Sequence, residues 1–340
     1  MKYIVTHTSP DWDAIGSVWI IKKYLAGWQE AEVKYVPAGQ RVSNSKYRIS
    51  IGERLHQVTD EAIETIGDDE YMHVDTGLGP LDHHQTYDQD VCGASKCWEY
   101  IKKSQISHPK GTSFSEAANL KSQKSNLVSQ ISKEETVGFT MEHIEAVDRI
   151  MKILVDVDHF QEIFWGGPVE DYQEFSLNGV LDGLKLEKPN QDSFYMEFGR
   201  TCLDALLHGF ENRIEAEKTI KETGVEFESR WGKSIGFETL NDTVIKLSQK
   251  MGYNLVLRKD PRKGYVRIKL RPEKKGNGKS ETENNDDLTL AYEKLQKIDP
   301  EATWYLHVSK KMLLNGTPKN PTMVPTKLSL EKLIDVLKEI

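Results

Sequence analysis

Seven side chains in the first half of the chain have types and spacing suited to metal chemistry. They are His7, Asp11 and Asp13 in HTSPDWDA, Asp75 in HVDTG, and Asp82, His83 and His84 in LDHHQ. Each group follows a short apolar run, so each is expected where a strand ends. Taken singly, an Asp before a helix is most often a cap, and a lone His is most often an ordinary polar residue. Gathered at one end of a sheet, however, these carboxylates would repel one another unless cations sat among them. Imidazole and carboxylate without thiolate suit Mn²⁺ or Mg²⁺, with Fe²⁺ or Co²⁺ as further candidates, better than a structural zinc. Two ions about 3.5–4 Å apart would take His7 and Asp11 on one side and Asp13 and a later histidine on the other, with Asp75 as the natural bridge. Such a pair lowers the pKa of a shared water from about 15.7 toward neutrality and clamps the oxygens of an in-line displacement at phosphorus. The chemistry expected is hydrolysis of a phosphoester or phosphoanhydride.

The elements that must position these groups alternate between strand and helix. Lys2 to His7 reads as a strand and Ala14 to Ala26 as an amphipathic helix, with Asp13 as N-cap and Gly27 closing it. EVKYVPA gives a second strand at Glu32 to Ala38, EYMHVDTG a buried strand ending at Asp75, and a helix begins near Ala94. This alternation predicts a parallel α/β sheet with its site at the strand ends. Ile144, Val147, Met151 and Leu154 form an apolar helical stripe, and a longer amphipathic helix runs from about Ser193 to Thr223 with Leu203, Leu206, Phe210 and Ile214 inward. The Ser/Lys/Gln-rich stretch from about Ser104 to Thr136 reads as a loose insertion or weak helix. In the last third, YNLVLRKD, GYVRIKLRP and TWYLHVS alternate as half-buried strands do, and Ser329 caps a final helix from Leu330. The polar run Glu273 to Asp287 between them is expected to be a disordered loop.

Composition narrows the class. A chain of 340 residues with 38% hydrophobic residues can bury two cores. It opens without a signal-peptide pattern and has no long apolar run, so a cytoplasmic protein with no membrane span is expected. Its three cysteines, Cys92, Cys97 and Cys202, lie outside any CxxC or Cys/His cluster and read as buried thiols. A net charge of −8 argues against a general nucleic-acid coat protein but leaves local basic faces open.

Four segments together resemble the DHH phosphoesterase superfamily, which includes RecJ-type exonucleases, oligoribonucleases and family II inorganic pyrophosphatases: HTSPDWDA, HVDTG, LDHHQ and a later acidic segment, LVDVDHFQ. The resemblance implies that His7, Asp11 and Asp75 hold one Mn²⁺, with Mg²⁺ or Co²⁺ as alternatives. It implies that Asp13, Asp75, His83 and the fourth segment's aspartate hold the other. His84 would face the phosphate as electrostatic partner or proton donor, and Asp82 would orient the histidines. Of the two aspartates in the fourth segment, Asp158 continues the inward stripe of Val147, Met151 and Leu154, whereas Asp156 falls with Arg149 and Lys152, so Asp158 is chosen.

The second half, from FSLNGVLDGLKLEKPNQD through GYVRIKLRP to WYLHVSKKMLLNGTPKNP, is similar to the melanocyte-proliferating-gene branch of that superfamily, described as metal-dependent 3′-5′ RNA exonucleases. It departs from that branch in its first motif and in having Asn315-Gly316 where the branch has a Gly-Gly turn. Independently, alternation in GYVRIKLRP sets Arg267 and Lys269 on a basic face opposite Val266, Ile268 and Leu270. With Lys310, Lys319 and the Asn315-Gly316 turn, that face could track a phosphate backbone. The expectation is an α/β protein with a parallel-sheet DHH-type domain at 1–165, a connecting region at 166–225 and a smaller α+β substrate-binding domain at 226–340. It would hydrolyse phosphodiester bonds of short RNA, DNA or oligonucleotides. A pyrophosphatase and a non-catalytic nucleotide-binding protein are the alternatives, and a homodimer is compatible with any of these.

Overall fold

The computed structural model describes residues 1–42, 61–107, 139–167, 171–272, 287–317 and 319–340. Most of the Ser/Lys/Gln-rich stretch and nearly all of the polar run before Asp287 lie outside the described residues. The chain divides into two compact units, Met1–Phe210 and Glu211–Ile340. Both are mixed α/β, and parallel and antiparallel pairing occur in each.

The first unit is built on a four-stranded sheet of order β2-β1-β4-β3, formed by β1 (Lys2–His7), β2 (Glu32–Val36), β3 (Glu64–Ile66) and β4 (Asp69–His73). β1 is central, pairs in parallel with both β2 and β4, and is buried from Tyr3 to Thr6, as an apolar run covered on both faces should be. β3 was not anticipated. It pairs antiparallel with β4 at the edge, so the sheet is not wholly parallel; ETI is too short for periodicity to reveal it.

Helix α1 (Trp12–Tyr24) follows β1 and is buried continuously from Trp12 to Ile21. Such a helix has no polar face to give it a strong 3.6-residue signature. Its N-cap is Asp11 rather than the expected Asp13: the Asp11 carboxylate accepts from the N–H groups of Asp13 and Ala14, both at 3.0 Å. The helix ends earlier than expected, at Tyr24, and Gly27 then takes a left-handed turn at φ 79°. Helices α2 (Gly93–Ser107) and α3 (Met141–Asp158) pack on α1 and on each other. Gly16 lies where the three meet: a Cβ there would stand 2.5 Å from Leu154 and 3.0 Å from Ala94. Polar ties reinforce the packing, with Trp98 Nε1 donating to Asp148 at 2.6 Å and Trp19 Nε1 to Asp204 at 2.9 Å. Of the predicted α3 stripe, Val147, Met151 and Leu154 are buried and Ile144 is half-buried, and Ile150 is buried beside them. Two further helices, α4 (Leu177–Glu187) and α5 (Asp192–Thr223), follow, and the division point falls within α5.

The second unit holds a six-stranded sheet of order β5-β6-β7-β8-β10-β9. Its strands are β5 (Val225–Ser229), β6 (Gly232–Glu238), β7 (Leu255–Lys259), β8 (Val266–Leu270), β9 (Trp304–Leu306) and β10 (Met312–Asn315). In β8, Val266, Ile268 and Leu270 are buried while Arg267 and Lys269 are half-exposed, the alternation expected. The buried set packs with Leu295 of α7 (Thr289–Ile298) and with Leu333 and Leu337 of α8 (Leu330–Lys338). On the other face Phe237 and Val256 pack with Val244 and Ile245 of α6 (Thr243–Lys250). Ser329 caps α8 by accepting from the Lys332 N–H at 3.2 Å. No described helix is long and apolar enough to cross a membrane.

Candidate metal centre

The site is assembled from the ends of β1, β4 and α3 and from the starts of α1 and α2. β1 delivers His7, and the turn into α1 delivers Asp11 and Asp13. The chain leaving β4 reverses through Asp75, whose φ is 50°, and its N–H donates to Leu81 O at 3.0 Å. That reversal returns the strand end on itself so that Asp82, His83 and His84 come back beside Asp75. Within it Asp82 is wholly buried, its carboxylate accepting from Leu78 N at 2.6 Å, His84 N at 3.1 Å and His84 Nδ1 at 2.7 Å.

Asp75 is the shared member. Its Oδ2 lies 3.2 Å from His7 Nε2, which is 3.7 Å from Asp11 Oδ1. Its other oxygen, Oδ1, lies 3.5 Å from His83 Nε2, which is 3.4 Å from Asp13 Oδ2 and 3.5 Å from Asp158 Oδ2. Two ligand atoms each about 2.1 Å from one ion stand about 3.0 Å apart at right angles and about 3.4 Å apart at the tetrahedral angle. These separations therefore suit ligation without rearrangement. Asp75 Oδ1 and His83 Nε2 are also buried with no hydrogen-bond partner among the described residues, and Asp75 is only 2% exposed. Buried polar atoms of this kind are normally satisfied, and a cation would satisfy both.

Electrostatics point the same way. Asp13 is held well above the usual carboxylate range, chiefly by burial and then by Asp75, Asp11 and Asp158. Asp158 is raised too, again first by burial. Burial opposes charging His7, yet hydrogen bonds and charge from Asp11 and Asp75 push its pKa up to about 11. In the metal-free protein a proton on His7 thus does part of a cation's work. For Asp11, burial favours the neutral acid, but His7 and the Ala14 N–H carry it below the usual range. Asp82 is likewise lowered against burial, by its bonds from His84 and Leu78. His84 is raised, first by its bond to Asp82, and its side chain is half exposed, so a proton on Nδ1 leaves Nε2 to meet an incoming group.

All the N-terminal residues singled out in the sequence are therefore brought together. Two contributions escaped notice. The N–H groups of Gly93 and Ala94 donate to the Asp13 carboxylate at 2.7 and 2.6 Å, so Asp13 is oriented by the first turn of α2. His159, the residue after Asp158, forms a potential ligand group with His83 and Asp158, and its Nε2 lies 3.0 Å from Val91 O. The only sequence signal for His159 was adjacency to the fourth acidic segment; the amide donors leave no side-chain signal at all.

The residues marked for substrate binding lie in the second unit. Arg267 pairs with Asp242 at 2.8 Å, Lys310 with Asp287 at 3.4 Å, Lys269 is half-exposed, and Lys319 is exposed. Asn315 is fully buried, its amide donating to Thr303 O and Val324 O at 3.0 and 3.1 Å while its oxygen accepts from Thr326 N at 2.6 Å. Gly316 has φ 79°, and a Cβ there would meet the Tyr265 ring at 2.1 Å.

No family profile matches the chain, and no curated protein does. The solved structures that are weakly similar include two. One is an uncharacterized protein from Helicobacter pylori G27, at 11% identity over 100% of this chain and 99% of that one, with a TM-score of 0.22. The other is the pGpG-specific phosphodiesterase PggH from Vibrio cholerae, at 13% identity over 94% of this chain and 93% of that one, with a TM-score of 0.19. At such TM-scores neither carries a structural argument.

Proposed function

We propose that this chain is a metal-dependent phosphoesterase of the DHH type that hydrolyses phosphodiester bonds in short RNA, DNA or oligonucleotides, in the manner of a 3′-5′ exonuclease. The observation that carries the reading is the division of Asp75, one oxygen toward His7 and the other toward His83. His7, Asp11 and Asp75 would hold one divalent ion, and Asp13, Asp75, His83 and Asp158 the second, with Mn²⁺ the favoured metal. Ions so placed would activate water and neutralise charge on a phosphoryl group. Asp82 fixes the His84 ring through Nδ1, and His84 presents Nε2 to the phosphate as a hydrogen-bond or proton donor. The Gly93 and Ala94 amides hold the Asp13 carboxylate against the repulsion of its neighbours. Arg267, Lys269, Lys310 and Lys319 would supply electrostatic contacts to the nucleotide backbone, while Asn315 and Gly316 shape the turn that leads to Lys319.

The test is a substrate panel of short labelled oligonucleotides and pyrophosphate, each with Mn²⁺ and with chelator. Cleavage of oligonucleotides that chelator abolishes is expected. Turnover of pyrophosphate alone would replace this reading with the pyrophosphatase one, and nucleotide binding without turnover would replace it with a binding protein.

A further inference from the structure

A centre built of Asp11, Asp13, Asp75 and Asp158 around two divalent ions carries no net charge once the carboxylates are ionised. Asp82 is already paired with His84 at 2.7 Å. Further positive charge to hold phosphate, a multiply charged anion, has to come from other side chains. Two lysines of the first unit supply it, one at each of the loops that bear the ligands.

Lys96 stands on α2, just beyond Gly93 and Ala94, whose amides clamp Asp13. Its ammonium donates at 2.5 Å to the carbonyl oxygen of Asp82, in the peptide that leads into His83. Lys185 reaches from α4 to the other loop and donates to Ser9 O at 3.2 Å, two residues before Asp11. Its charge is felt at the Asp11 carboxylate, where it adds to the effect of His7. Ser9 itself has φ 54°, and its N–H donates to Asp192 Oδ1 at 2.9 Å, so this loop is fixed against both helices.

Both lysines are half-buried, and neither has a carboxylate within 4 Å among the described residues. A carbonyl takes one of the three ammonium donors and brings no compensating charge. A neutral donor would make the same tie, whereas an ammonium set beside two divalent ions is repelled by them unless an anion lies between. A phosphate at the centre would take up the remaining donors and balance that charge.

We propose that Lys96 and Lys185 are phosphate-contacting cations of the first unit, Lys96 at the LDHHQ loop and Lys185 at the HTSPDWDA turn. The proposal rests on the phosphoesterase reading and deepens it by naming side chains that hold the substrate's anionic group.

The intact protein loaded with Mn²⁺ is titrated calorimetrically with inorganic phosphate, and its Mn²⁺ content is measured by elemental analysis. Lys96→Met and Lys185→Met keep most of the side-chain stem and remove the charge. Each should weaken phosphate binding by about 10- to 100-fold, as losing one charge-assisted hydrogen bond implies, and the double variant by more. Mn²⁺ content and the denaturation midpoint should stay as in the unaltered protein. Lys96→Arg and Lys185→Arg keep the charge and should retain most of the affinity. Lysines that serve only to tie a carbonyl give a different pattern: phosphate affinity unchanged at full Mn²⁺ content, or lost only in step with the metal. Either pattern in the Met variants, or no phosphate binding by the unaltered Mn²⁺-loaded protein, overturns the assignment. Oligonucleotide turnover is scored separately. Mn²⁺-dependent cleavage with phosphate binding indifferent to both lysines overturns the two contacts and leaves the phosphoesterase reading. Lysine-dependent phosphate binding without cleavage refutes that reading and leaves the contacts supported.

Discussion

Metal uptake at the His7 cluster is expected to release a proton, and the metal affinity should climb with pH through neutrality. The cause is geometric: His7 Nε2 sits 3.2 Å from Asp75 and 3.7 Å from Asp11, and their hydrogen bonds and charges outweigh burial to push its pKa up to about 11. A ligating imidazole must be neutral at the ligating nitrogen, so an ion entering at neutral pH has to displace that proton. With the pKa about four units above pH 7, the displacement costs on the order of 5 kcal/mol of intrinsic metal affinity. Each unit rise in pH returns about 1.4 kcal/mol, a tenfold gain in apparent affinity from this one proton. Asp13 and Asp158, both raised first by burial, add to proton release as the pH falls toward their own range and steepen the dependence there. Calorimetric titration with Mn²⁺ at about pH 6, 7 and 8, in buffers of different ionisation enthalpy, measures affinity and proton count together. His7→Gln should bind more weakly and release about one proton fewer. A dissociation constant that is flat over this range, with heats independent of buffer, would refute the assignment of a protonated His7.

Other outcomes follow from the same geometry. Asp75→Asn should lower metal content and reduce turnover by more than the roughly 10- to 100-fold typical of losing an outer-shell partner, measured by elemental analysis and rate assay. Asp82→Asn removes the main cause of the raised His84 pKa. If protonated His84 assists the reaction, activity is lost as pH rises through that pKa, so the basic limb of the pH–rate profile should move to lower pH in the variant. In the metal-free protein, protonated His7 contributes stability that is complete below its ordinary pKa of 6.5 and drains away as the pH rises toward about 11; denaturant melts in chelator should show this loss, and His7→Gln should flatten it. Asn315→Ala should destabilise the second unit by roughly 2–4 kcal/mol in chemical denaturation, because it leaves the Thr326 N–H and two carbonyls without their side-chain partner.

What the sequence disclosed depended on whether a feature is written in side chains. His7, Asp11, Asp13, Asp75, His83, His84 and Asp158 were legible because each follows an apolar element and carries its chemistry in its own type. Asp158 could be chosen over Asp156 because one face of α3 is buried and the helical period locates it. The cap of α1 was misplaced for an equally physical reason: Asp11 and Asp13 are both good caps, and only the amides of Gly93 and Ala94, distant in the chain, draw Asp13 away. β3 and β10, of three and four residues, barely establish a two-residue period, and β5 and β6 escaped as well although they are five and seven residues long. Asn315 looked like a turn residue in NGT, and its burial became visible only once its long-range partners were in place.

The amide clamp on Asp13 also bears on how the protein comes into being. Eighty residues separate Asp13 from Gly93, and a Cβ at Gly93 would press to 2.8 Å from Asp75 Cβ and 3.0 Å from Asp13 Oδ2. In a chain emerging from its N-terminus, the HTSPDWDA segment therefore appears long before the helix end that steadies it. No truncated product stopping short of Ala94 could carry the finished centre, however well its first strand and helix formed. On the proposed metal-centre reading, the amount of metal retained after purification would double as a gauge of how faithfully α1, α2 and α3 have docked. On that reading, a change at the helix contact such as enlarging Gly16 would be read first in the metal analysis.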